Sequence, residues 1–553
     1  MRVLFSLALL LSSPLLATDV LAPLVVKSRE VQVASVPPLR SSAMAAAVVL
    51  EAKGATASDV ASLRAANAAG DGALQVGVVR EVKPVAISSA AADEPFRWRG
   101  SVRVSGAQRV RVRLDGVVLP VGTKLWVYGA TGAAVEVDRA LVHGGVLWTP
   151  SVVGDAATIE IDAPESAAFR IGAIADVRTA AEVAPQATEC IRDISCHQIE
   201  GSLSRGIAFY EYVGGTMVRA CTGGLLNNVK EDGRPYFLTA NHCVKTQEHA
   251  ATVETFWDYR SSSCNGEAPA LNTLPRGYGA TLLATSQPSD VTLLRLAAIP
   301  DNRTFLGWDA RAIAAGTTLF HISHPNAVAQ RYSTSVVETS GSECAFAPRA
   351  NHIYSNPETG ATDRGSSGAP VLYGAGFVVG QLKGACGPEP ENACNRENHE
   401  VDGAFATSYA VLRPYLDPAP VCETCTPGDT TACMLDGHFK VTVSWIDTYI
   451  QQQGPGRVIR YAENKPQMHP ELGAIVEGSF FSFYSNQPNT VETMIKMIKG
   501  AGINGKYWIF VSGFTGSEYT VTVQDTRNCA KWERTMPRDS REMLRDYEAF
   551  SIP

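Results

Sequence analysis

The chain has 553 residues, of which 45% are hydrophobic and 19% are charged, and its formal net charge is −7. This length exceeds what one hydrophobic core organises, so we expect about three or four domains. The composition is that of a globular protein and argues against long disordered tracts. A nucleic-acid-binding protein usually has a basic surplus, which this chain lacks, so we expect no nucleic-acid partner.

The first residues have the pattern of a secretory signal peptide. Arg2 gives a positive start, and residues 3–17 (VLFSLALLLSSPLLA) are almost wholly apolar. A membrane span needs roughly 18 or more apolar residues, and Ser-Ser-Pro interrupts this run. We therefore predict a signal peptide over 1–22, cleaved after Ala17 or Ala22, with no membrane anchor. The mature protein is expected outside the cell or in the periplasm.

All twelve cysteines lie after residue 189. An even number of cysteines confined to one part of the chain fits disulfides formed in an oxidising compartment, which agrees with export. The cysteine-free part before residue 190 must be stabilised in another way.

Residues 23–186 form a candidate N-terminal region. Residues 41–69 favour helix by propensity, although Gly54 interrupts them. From about Val76, apolar and polar residues alternate as in half-buried antiparallel strands. We predict a helical segment followed by a small β-sandwich over roughly 76–175, with residues 176–189 as a linker.

A second boundary falls near residues 418–421, where Pro is frequent. Residues 187–418 contain short strands, many Gly and most of the cysteines, whereas residues 422–553 alternate again. We predict a small β-rich accessory domain for the latter. Its aromatic run is more typical of a strand core than of a ligand-binding face, and comprises Phe480, Phe481, Phe483 and Tyr484.

The spacing of Cys422 and Cys425 is compatible with a zinc site that would also use Cys433 and Cys529. In an exported chain, four cysteines more often form two disulfides, which we favour. His321 and His324 lie in a strand and turn, so they would not share a helical face as a metal pair. We expect no metal and no other cofactor.

The middle domain contains a histidine in a rigid setting. The stretch YFLTANHC (236–243) is an apolar strand that ends at His242 and Cys243. A general base must be held rigidly, and Cys243 can pair with Cys221 of CTGGLL to staple this loop. His242 is therefore a candidate general base.

Two further motifs follow in the order His, Asp, Ser. In SDVTLLRL (289–296), Asp290 precedes an apolar strand, where a buried carboxylate can orient an imidazole. In DRGSSGAP (363–370), Ser367 stands in a Gly-rich turn suited to a nucleophile, and the N–H groups of Gly365 and Ser367 are the natural oxyanion donors. Each motif alone is modest evidence, but their combination is strong.

These motifs, together with HPN (324–326) and VVGQLKG (378–384), resemble the chymotrypsin-like serine proteases, most closely the bacterial lysyl endopeptidase branch. The resemblance covers residues 190–416. It implies a mainly β protein with a double β-barrel and a catalytic triad of His242, Asp290 and Ser367. It also implies the disulfides Cys221–Cys243, Cys196–Cys264 and Cys190 with Cys386 or Cys394.

The sequence departs from trypsin in two places. Ser366 replaces the Asp that receives the new N-terminus of trypsin-type enzymes, so activation must differ, although the lysyl branch also has Ser there. Ala361 stands where trypsin has its pocket Asp. By resemblance to the lysyl branch, Glu400 falls on the pocket position, with Asp402 nearby. The pocket also includes Lys383, which replaces a His.

A carboxylate in the pocket favours a Lys or Arg before the scissile bond, whereas Lys383 would repel one. We expect a secreted endopeptidase that acts on proteins or peptides, is a monomer, and prefers basic residues without a clear choice between Lys and Arg. The N-terminal region resembles a pro-region that acts as an inhibitor or folding aid, with Arg178–Thr179 as a candidate cut site. The alternative is an inactive barrel that serves as an adhesin or binding module through its C-terminal domain.

Overall fold

The computed structural model describes residues 19–26, 47–69, 72–89, 94–130, 134–184, 189–197, 202–341, 343–418, 422–459, 465–540 and 542–552. They form two compact units, one that ends at Asp417 and one that begins at Pro418. The predicted signal peptide lies almost wholly outside the described residues. No helix among the described residues is long and apolar enough to cross a membrane.

The N-terminal region is built mainly from strands, with two helices. The helices are α1 (Ala57–Ala68) and α2 (Ala180–Val183). The strands are β1 (Val20–Leu21), β2 (Leu24–Val26), β3 (Ala47–Lys53), β4 (Leu74–Ser88), β5 (Phe96–Ser105), β6 (Arg109–Val118), β7 (Lys124–Tyr128), β8 (Val135–Glu136), β9 (Val146–Trp148), β10 (Val152–Val153), β11 (Ala156–Ala163) and β12 (Ala168–Val177).

Strands β3 to β12 form the predicted β-sandwich. One sheet has the order β3-β5-β11-β7-β8, and the facing layer has the order β10-β6-β12-β4, with β9 paired to β6. Their inward side chains, such as Val102, Val112, Ile159 and Ile171, share one buried core. The alternation of apolar and polar residues thus placed one face of each strand in the core, as expected.

The predicted helix over residues 41–69 is only partly correct. Helix α1 begins after Thr56, whose side chain and that of Asp59 form a capping box. Residues Ala47–Lys53 are instead strand β3, which pairs in parallel with β5. The β-branched Val48 and Val49 suit a strand, and the neighbouring sheet edge outweighs the helix propensity of the alanines.

The predicted linker over residues 176–189 is more ordered than expected. Strand β12 extends to Val177, and helix α2 follows. Arg178 is almost fully buried. Its Nη2 lies 3.0 Å from Asp176 Oδ2 and donates a hydrogen bond to the carbonyl of Ala55. Cleavage at Arg178–Thr179 would therefore require local unfolding. Residues 185–188 lie outside the described part.

The middle domain contains helices α3 (Gln247–Ala251) and α4 (Phe405–Leu416). Its strands are β13 (Arg192–Asp193), β14 (Ile207–Gly214), β15 (Met217–Leu226), β16 (Tyr236–Ala240), β17 (Glu254–Trp257), β18 (Arg276–Tyr278), β19 (Ala280–Ser286), β20 (Val291–Leu296), β21 (Arg303–Phe305), β22 (Gly307–Asp309), β23 (Thr318–Ser323), β24 (Arg331–Glu338), β25 (His352–Thr359), β26 (Pro370–Tyr373), β27 (Phe377–Cys386) and β28 (His399–Ala404).

These strands form two barrel-like sheets, which confirms the predicted chymotrypsin-like fold class. In the second barrel, the ring β27-β26-β23-β24-β25-β28 closes by the pairing of β28 with β27. In the first, the order is β17-β14-β15-β16-β20-β19, and β18, which pairs with β17, is separated from β19 only by Gly279. Closure removes free strand edges within the second ring.

The N-terminal region and the first barrel share one continuous sheet, because β4 pairs with β15. A buried ion pair crosses the same boundary, where Arg109 Nη2 lies 2.5 Å from Glu211 Oε1. The buried aromatic residues Trp148, Phe209 and Phe256 belong to one apolar cluster that draws on both parts. The N-terminal region is thus integrated with the barrel within the first unit.

The second unit is a β-sandwich. Its strands are β29 (Ala432–Met434), β30 (Phe439–Asp447), β31 (Gln452–Pro455), β32 (Arg457–Ile459), β33 (Gln467–His469), β34 (Gly473–Ser482), β35 (Thr493–Gly500), β36 (Lys506–Gly513), β37 (Glu518–Asp525), β38 (Lys531–Met536) and β39 (Leu544–Ser551). The sheets β29-β30-β37-β38 and β32-β34-β35-β36-β39 contribute to one core. In the aromatic run, Phe481 and Phe483 are buried in that core, and the Tyr484 hydroxyl donates to Asp447.

All twelve cysteines form disulfides. Of the two alternatives for Cys190, the structure contains Cys190–Cys394, and Cys344 pairs with Cys386. Disulfides Cys422–Cys529 and Cys425–Cys433 leave the second unit without the thiolates that a zinc site would need. The remaining pairs are Cys196–Cys264 and Cys221–Cys243.

The Arg109–Glu211 pair gives a test of this integration. Replacing Glu211 by Ala leaves the buried guanidinium without its partner, so we expect a loss of about 3–5 kcal/mol in the stability of the first unit. Denaturant unfolding of the full chain, followed by tryptophan fluorescence, measures it. The matched control is Asp162→Ala, which removes the partner of the exposed Arg97 and should cost less than about 1 kcal/mol. Equal effects of the two substitutions would contradict the integration of the two parts.

Candidate active site

His242 stands just beyond the end of strand β16 in the first barrel. The chain turns there, with the N–H groups of Cys243 and Val244 both donating to the carbonyl of Ala240. The disulfide Cys221–Cys243 ties this turn to β15. The side chain of His242 is therefore fixed at one rim of the barrel, as the sequence predicts.

Asp290 lies at the same rim because β20 pairs antiparallel with β16, with Val291 opposite Ala240. It occupies the left-handed backbone region, with φ of 52°. The N–H of Asp290 donates to the carbonyl of Gln287, and its own carbonyl accepts from Asn241. Asp is among the few residues other than Gly that tolerate this conformation.

The two side chains form a close hydrogen-bonded pair. His242 Nδ1 lies 2.7 Å from Asp290 Oδ2, and the His242 backbone N–H donates to Oδ1 at 2.9 Å. Burial would raise the pKa of Asp290, but the pairing with His242 and the nearby Lys383 ammonium outweigh it and lower that pKa. A carboxylate in this position can orient the imidazole of His242.

Ser367 lies in the loop between β25 and β26 of the second barrel. Gly365 and Gly368 flank it with φ of +87° and +82°, which L-residues with a side chain rarely adopt. A Cβ on Gly368 would lie 2.2 Å from Thr239 Oγ1, so only glycine fits there. The Ser367 carbonyl accepts from the Thr222 N–H at 2.9 Å, which joins the serine loop to the first barrel.

The backbone N–H groups of this turn differ in whether they have an acceptor. The N–H of Ser366 donates to the carbonyl of Asp363, and that of Gly368 to Leu382. Among the residues that the structure describes, the N–H groups of Gly365 and Ser367 have no hydrogen-bond acceptor. Two backbone N–H groups without an acceptor, next to a serine hydroxyl, are what an oxyanion site requires.

Lys383 lies at a β-bulge, where the pairing of β27 with β28 shifts between Leu382 and Gly384. A bulge re-aims the side chain of the extra residue. The ammonium of Lys383 lies 3.7 Å from Asp290 Oδ2. Lys383 borders the predicted pocket, but its charge is directed at Asp290.

His242, Ser367, Lys383 and Glu400 line one cleft of about 540 Å³. Glu400 is only 4% exposed. Its Oε1 accepts from Thr362 Oγ1 at 3.0 Å, and its Oε2 has no hydrogen-bond partner within the described residues. The cleft thus contains a buried carboxylate, one oxygen of which accepts no hydrogen bond from the described residues and lies 3.5 Å from His321 Nδ1.

Asp402, which the sequence analysis placed near Glu400, is not among the residues that line this cleft. It is fully buried and lies 2.9 Å from His321 Nε2. Residues two apart on a strand point to the same face, so Glu400 and Asp402 both face the barrel interior. Asp402 lies deeper in the barrel than Glu400, and Glu400 lies at the end of the pair that borders the cleft.

Sequence reasoning missed three residues that position the site. Thr222 binds the serine loop, since its hydroxyl also donates to the Gly365 carbonyl at 2.8 Å. Thr362 orients Glu400, and Gly72 of the N-terminal region borders the cleft. No local signal distinguishes a threonine or glycine of this kind, because their partners lie far away in the chain.

Comparison with known proteins adds an independent observation. A family model described as the lysyl endopeptidase C-terminal domain matches residues 184–402, and one described as the lysyl endopeptidase N-terminal domain matches residues 49–172. Together they match more than half of the chain. The matched segments include all the cleft residues named above, from Gly72 to Glu400.

Individual proteins show more limited similarity. A lysyl endopeptidase of Pseudomonas aeruginosa is 32% identical over 204 residues, which is 36% of this chain and 44% of that protein. This chain therefore covers less than half the length of that relative. Among solved structures, the Rv3671c protease of M. tuberculosis (active form) is 14% identical, covers 41% of this chain and 91% of its own, and has a TM-score of 0.28.

The MamO protease domain of Magnetospirillum magneticum is also 14% identical, and the match covers 38% of this chain and 98% of that chain with a TM-score of 0.27. At such scores these two structures add nothing to the assignment, which rests on the two family models and the curated relative. The chain belongs to the lysyl endopeptidase branch of the trypsin-like proteases.

Proposed function

We propose that the protein is a secreted serine endopeptidase whose catalytic triad is His242, Asp290 and Ser367. The proposal rests chiefly on the 2.7 Å contact between His242 and Asp290 in the cleft that also contains Ser367. A buried carboxylate, an oriented imidazole and a serine in a glycine turn are the parts that nucleophilic acyl transfer needs.

The reaction follows from these groups. Ser367 Oγ attacks the carbonyl carbon of the scissile peptide bond while His242 accepts its proton, and the negative charge moves to the carbonyl oxygen. The N–H groups of Gly365 and Ser367 stabilise that oxyanion. As the C–N bond breaks, His242 protonates the leaving amine. Water then attacks the acyl ester with His242 as the base, and Ser367 is restored.

We further propose a preference for Lys or Arg before the scissile bond. Glu400 supports it, because its buried Oε2 accepts no hydrogen bond from the described residues and can pair with a cationic side chain that enters the cleft. The repulsion expected from Lys383 is reduced because its ammonium faces Asp290. Ala361 also lines the cleft and leaves room beside Glu400.

The N-terminal region is proposed to act as a folding template and inhibitor of the protease domain. Strand β4 extends the sheet of the first barrel, and Arg364 donates to the Gly72 carbonyl at 3.3 Å beside the cleft. Removal of such a region requires a cut in the chain before the protease domain. The burial of Arg178 disfavours a cut at Arg178–Thr179 while this region is folded.

Export is proposed to depend on the N-terminal apolar run, and the six disulfides support an oxidising compartment. Strands β1 and β2 pair with β22 and β21, which lie in the connection between the barrels. Cleavage after Ala17 keeps both pairings in the exported chain, whereas cleavage after Ala22 would remove β1. The first position is therefore favoured.

The nucleophile can be tested with neighbouring serines. Replacing Ser367 by Ala should lower kcat at least about 10³-fold and abolish labelling by an organophosphonate probe, because no other group can form the acyl ester. The matched control is Ser366→Ala, which should retain the label. A Ser367→Ala protein that still hydrolyses peptides near the wild-type rate would refute the triad.

The pocket can be tested by the residue before the scissile bond. In Glu400→Gln the charge is lost but the shape is kept, so we expect kcat/KM for Lys and Arg peptides to fall roughly 100-fold relative to Met peptides. Glu391→Gln is the control, since Glu391 borders the same cleft but is exposed and paired with Arg364. Equal selectivity in the two variants would contradict the role of Glu400.

Lys383 should influence the pH dependence of the reaction. In Lys383→Gln, the carboxylate of Asp290 loses a competing cation and stabilises protonated His242 more strongly. We expect the acid limb of the kcat/KM profile to move to higher pH by about 0.5–1 unit. Lys383→Arg keeps the charge and should retain the wild-type limb. If the acid limb does not move in Lys383→Gln, the contact between Lys383 and Asp290 has no influence on the triad.

A further inference from the structure

His321 is a completely buried histidine behind the cleft, on strand β23 of the second barrel. Its two ring nitrogens both face carboxylates. Nε2 lies 2.9 Å from Asp402 Oδ1, and Nδ1 lies 3.5 Å from Glu400 Oε2. His321 does not itself border the cleft, so it contacts the pocket only through Glu400.

This geometry favours a protonated ring, with Nε2 hydrogen-bonded to Asp402 and Nδ1 near Glu400 without a hydrogen bond. A neutral imidazole has one N–H and one lone pair, and the lone pair would face a carboxylate oxygen at one of the two positions. Only the doubly protonated ring presents an N–H to both. Burial lowers the pKa of His321, but Asp402 and Glu400 outweigh it and raise that pKa to about 9.

The other charged groups nearby do not alter this balance. On β27, Lys383 is directed at Asp290. On β25, burial lowers the pKa of His352, whose Nδ1 faces the carbonyl of Pro348. The cluster thus places the ring of His321 between two carboxyl groups, those of Glu400 and Asp402.

We propose that His321 is a specificity-determining residue. As a buried imidazolium shared by Glu400 and Asp402, it balances one of their two negative charges. The pocket keeps the other negative charge, which suits one cationic substrate side chain. His321 acts as a positioning residue, since it reaches substrate only through Glu400. This inference rests on the proposed preference for basic residues. It adds that the preference depends on a cation hidden in the barrel interior.

His324, three residues further along, is an internal contrast. It is equally buried, but its Nδ1 faces the carbonyl of Val328, and burial lowers its pKa to about 3. One buried histidine should therefore be an imidazolium and the other neutral at the same pH.

The protonation states can be measured directly. Nitrogen-15 NMR of ring-labelled histidines, in the full-length Ser367→Ala protein at pH 7.5, should show two protonated nitrogens for His321 and one for His324. Substitution of each by Gln assigns the signals. A singly protonated His321 would overturn the inference whatever the specificity of the enzyme is.

Enzyme kinetics provide a second test of the proposed role of His321. In His321→Gln the buried carboxylates lose their cation and must share a proton, so the pocket charge becomes pH-dependent. The ratio of kcat/KM for Lys and Met peptides should then fall about tenfold or more from pH 8.5 to pH 6, against less than about threefold in the wild type. The ratio cancels the titration of the triad, which both substrates share.

The outcomes separate the two proposals. A wild-type enzyme without preference for basic residues would contradict the proposed specificity, even with a doubly protonated His321. A wild-type preference for basic residues that is retained, without pH dependence, in His321→Gln would overturn the role of His321. If His321→Gln does not fold, the spectra of the Ser367→Ala protein test the inference alone. The His321 signals are then identified by elimination, as those that remain in every other histidine variant.

Discussion

The carboxylate of Asp290 is buried between the two barrels, and a buried charge must be compensated. Three donors or cations compensate it: the imidazole and the backbone N–H of His242 from the first barrel, and the ammonium of Lys383 from the second. The same contacts that lower the cost of burying the charge fix the imidazole toward the cleft. The arrangement requires both barrels, because neither provides all the partners.

A second buried charge cluster lies in the interior of the second barrel. His321, Glu400 and Asp402 are linked there, with only Glu400 reaching the cleft. The proposed reaction and the proposed selectivity thus depend on separate electrostatic networks. Substitutions in one should alter turnover with all substrates, whereas substitutions in the other should change the choice among substrates.

The sequence predicted the parts of the site that local chemistry marks. His242 follows an apolar strand and precedes a cysteine, and Ser367 lies between glycines, so both could be proposed from short segments. Asp290 had a weaker local signal and depended on the other two. Its position became clear only from the pairing of β16 with β20.

What the sequence did not predict depends on contacts between distant segments. Strand β3 forms in a stretch with helix propensity because the edge of β5 is available. The bulge that re-aims Lys383 is a register shift between β27 and β28. The burial of Asp402 follows from its depth in the barrel. None of these has a local pattern, since each is set by tertiary packing.

In the proposed mechanism, peptide hydrolysis proceeds through an acyl ester on Ser367. Rapid acid quenching of the activated enzyme with a Lys ester substrate, followed by peptide mass spectrometry, detects such an ester. We expect an acyl mass increase on the peptide that contains Ser367, formed within one turnover. An adduct on another residue, or steady turnover with no adduct on this peptide, would contradict it.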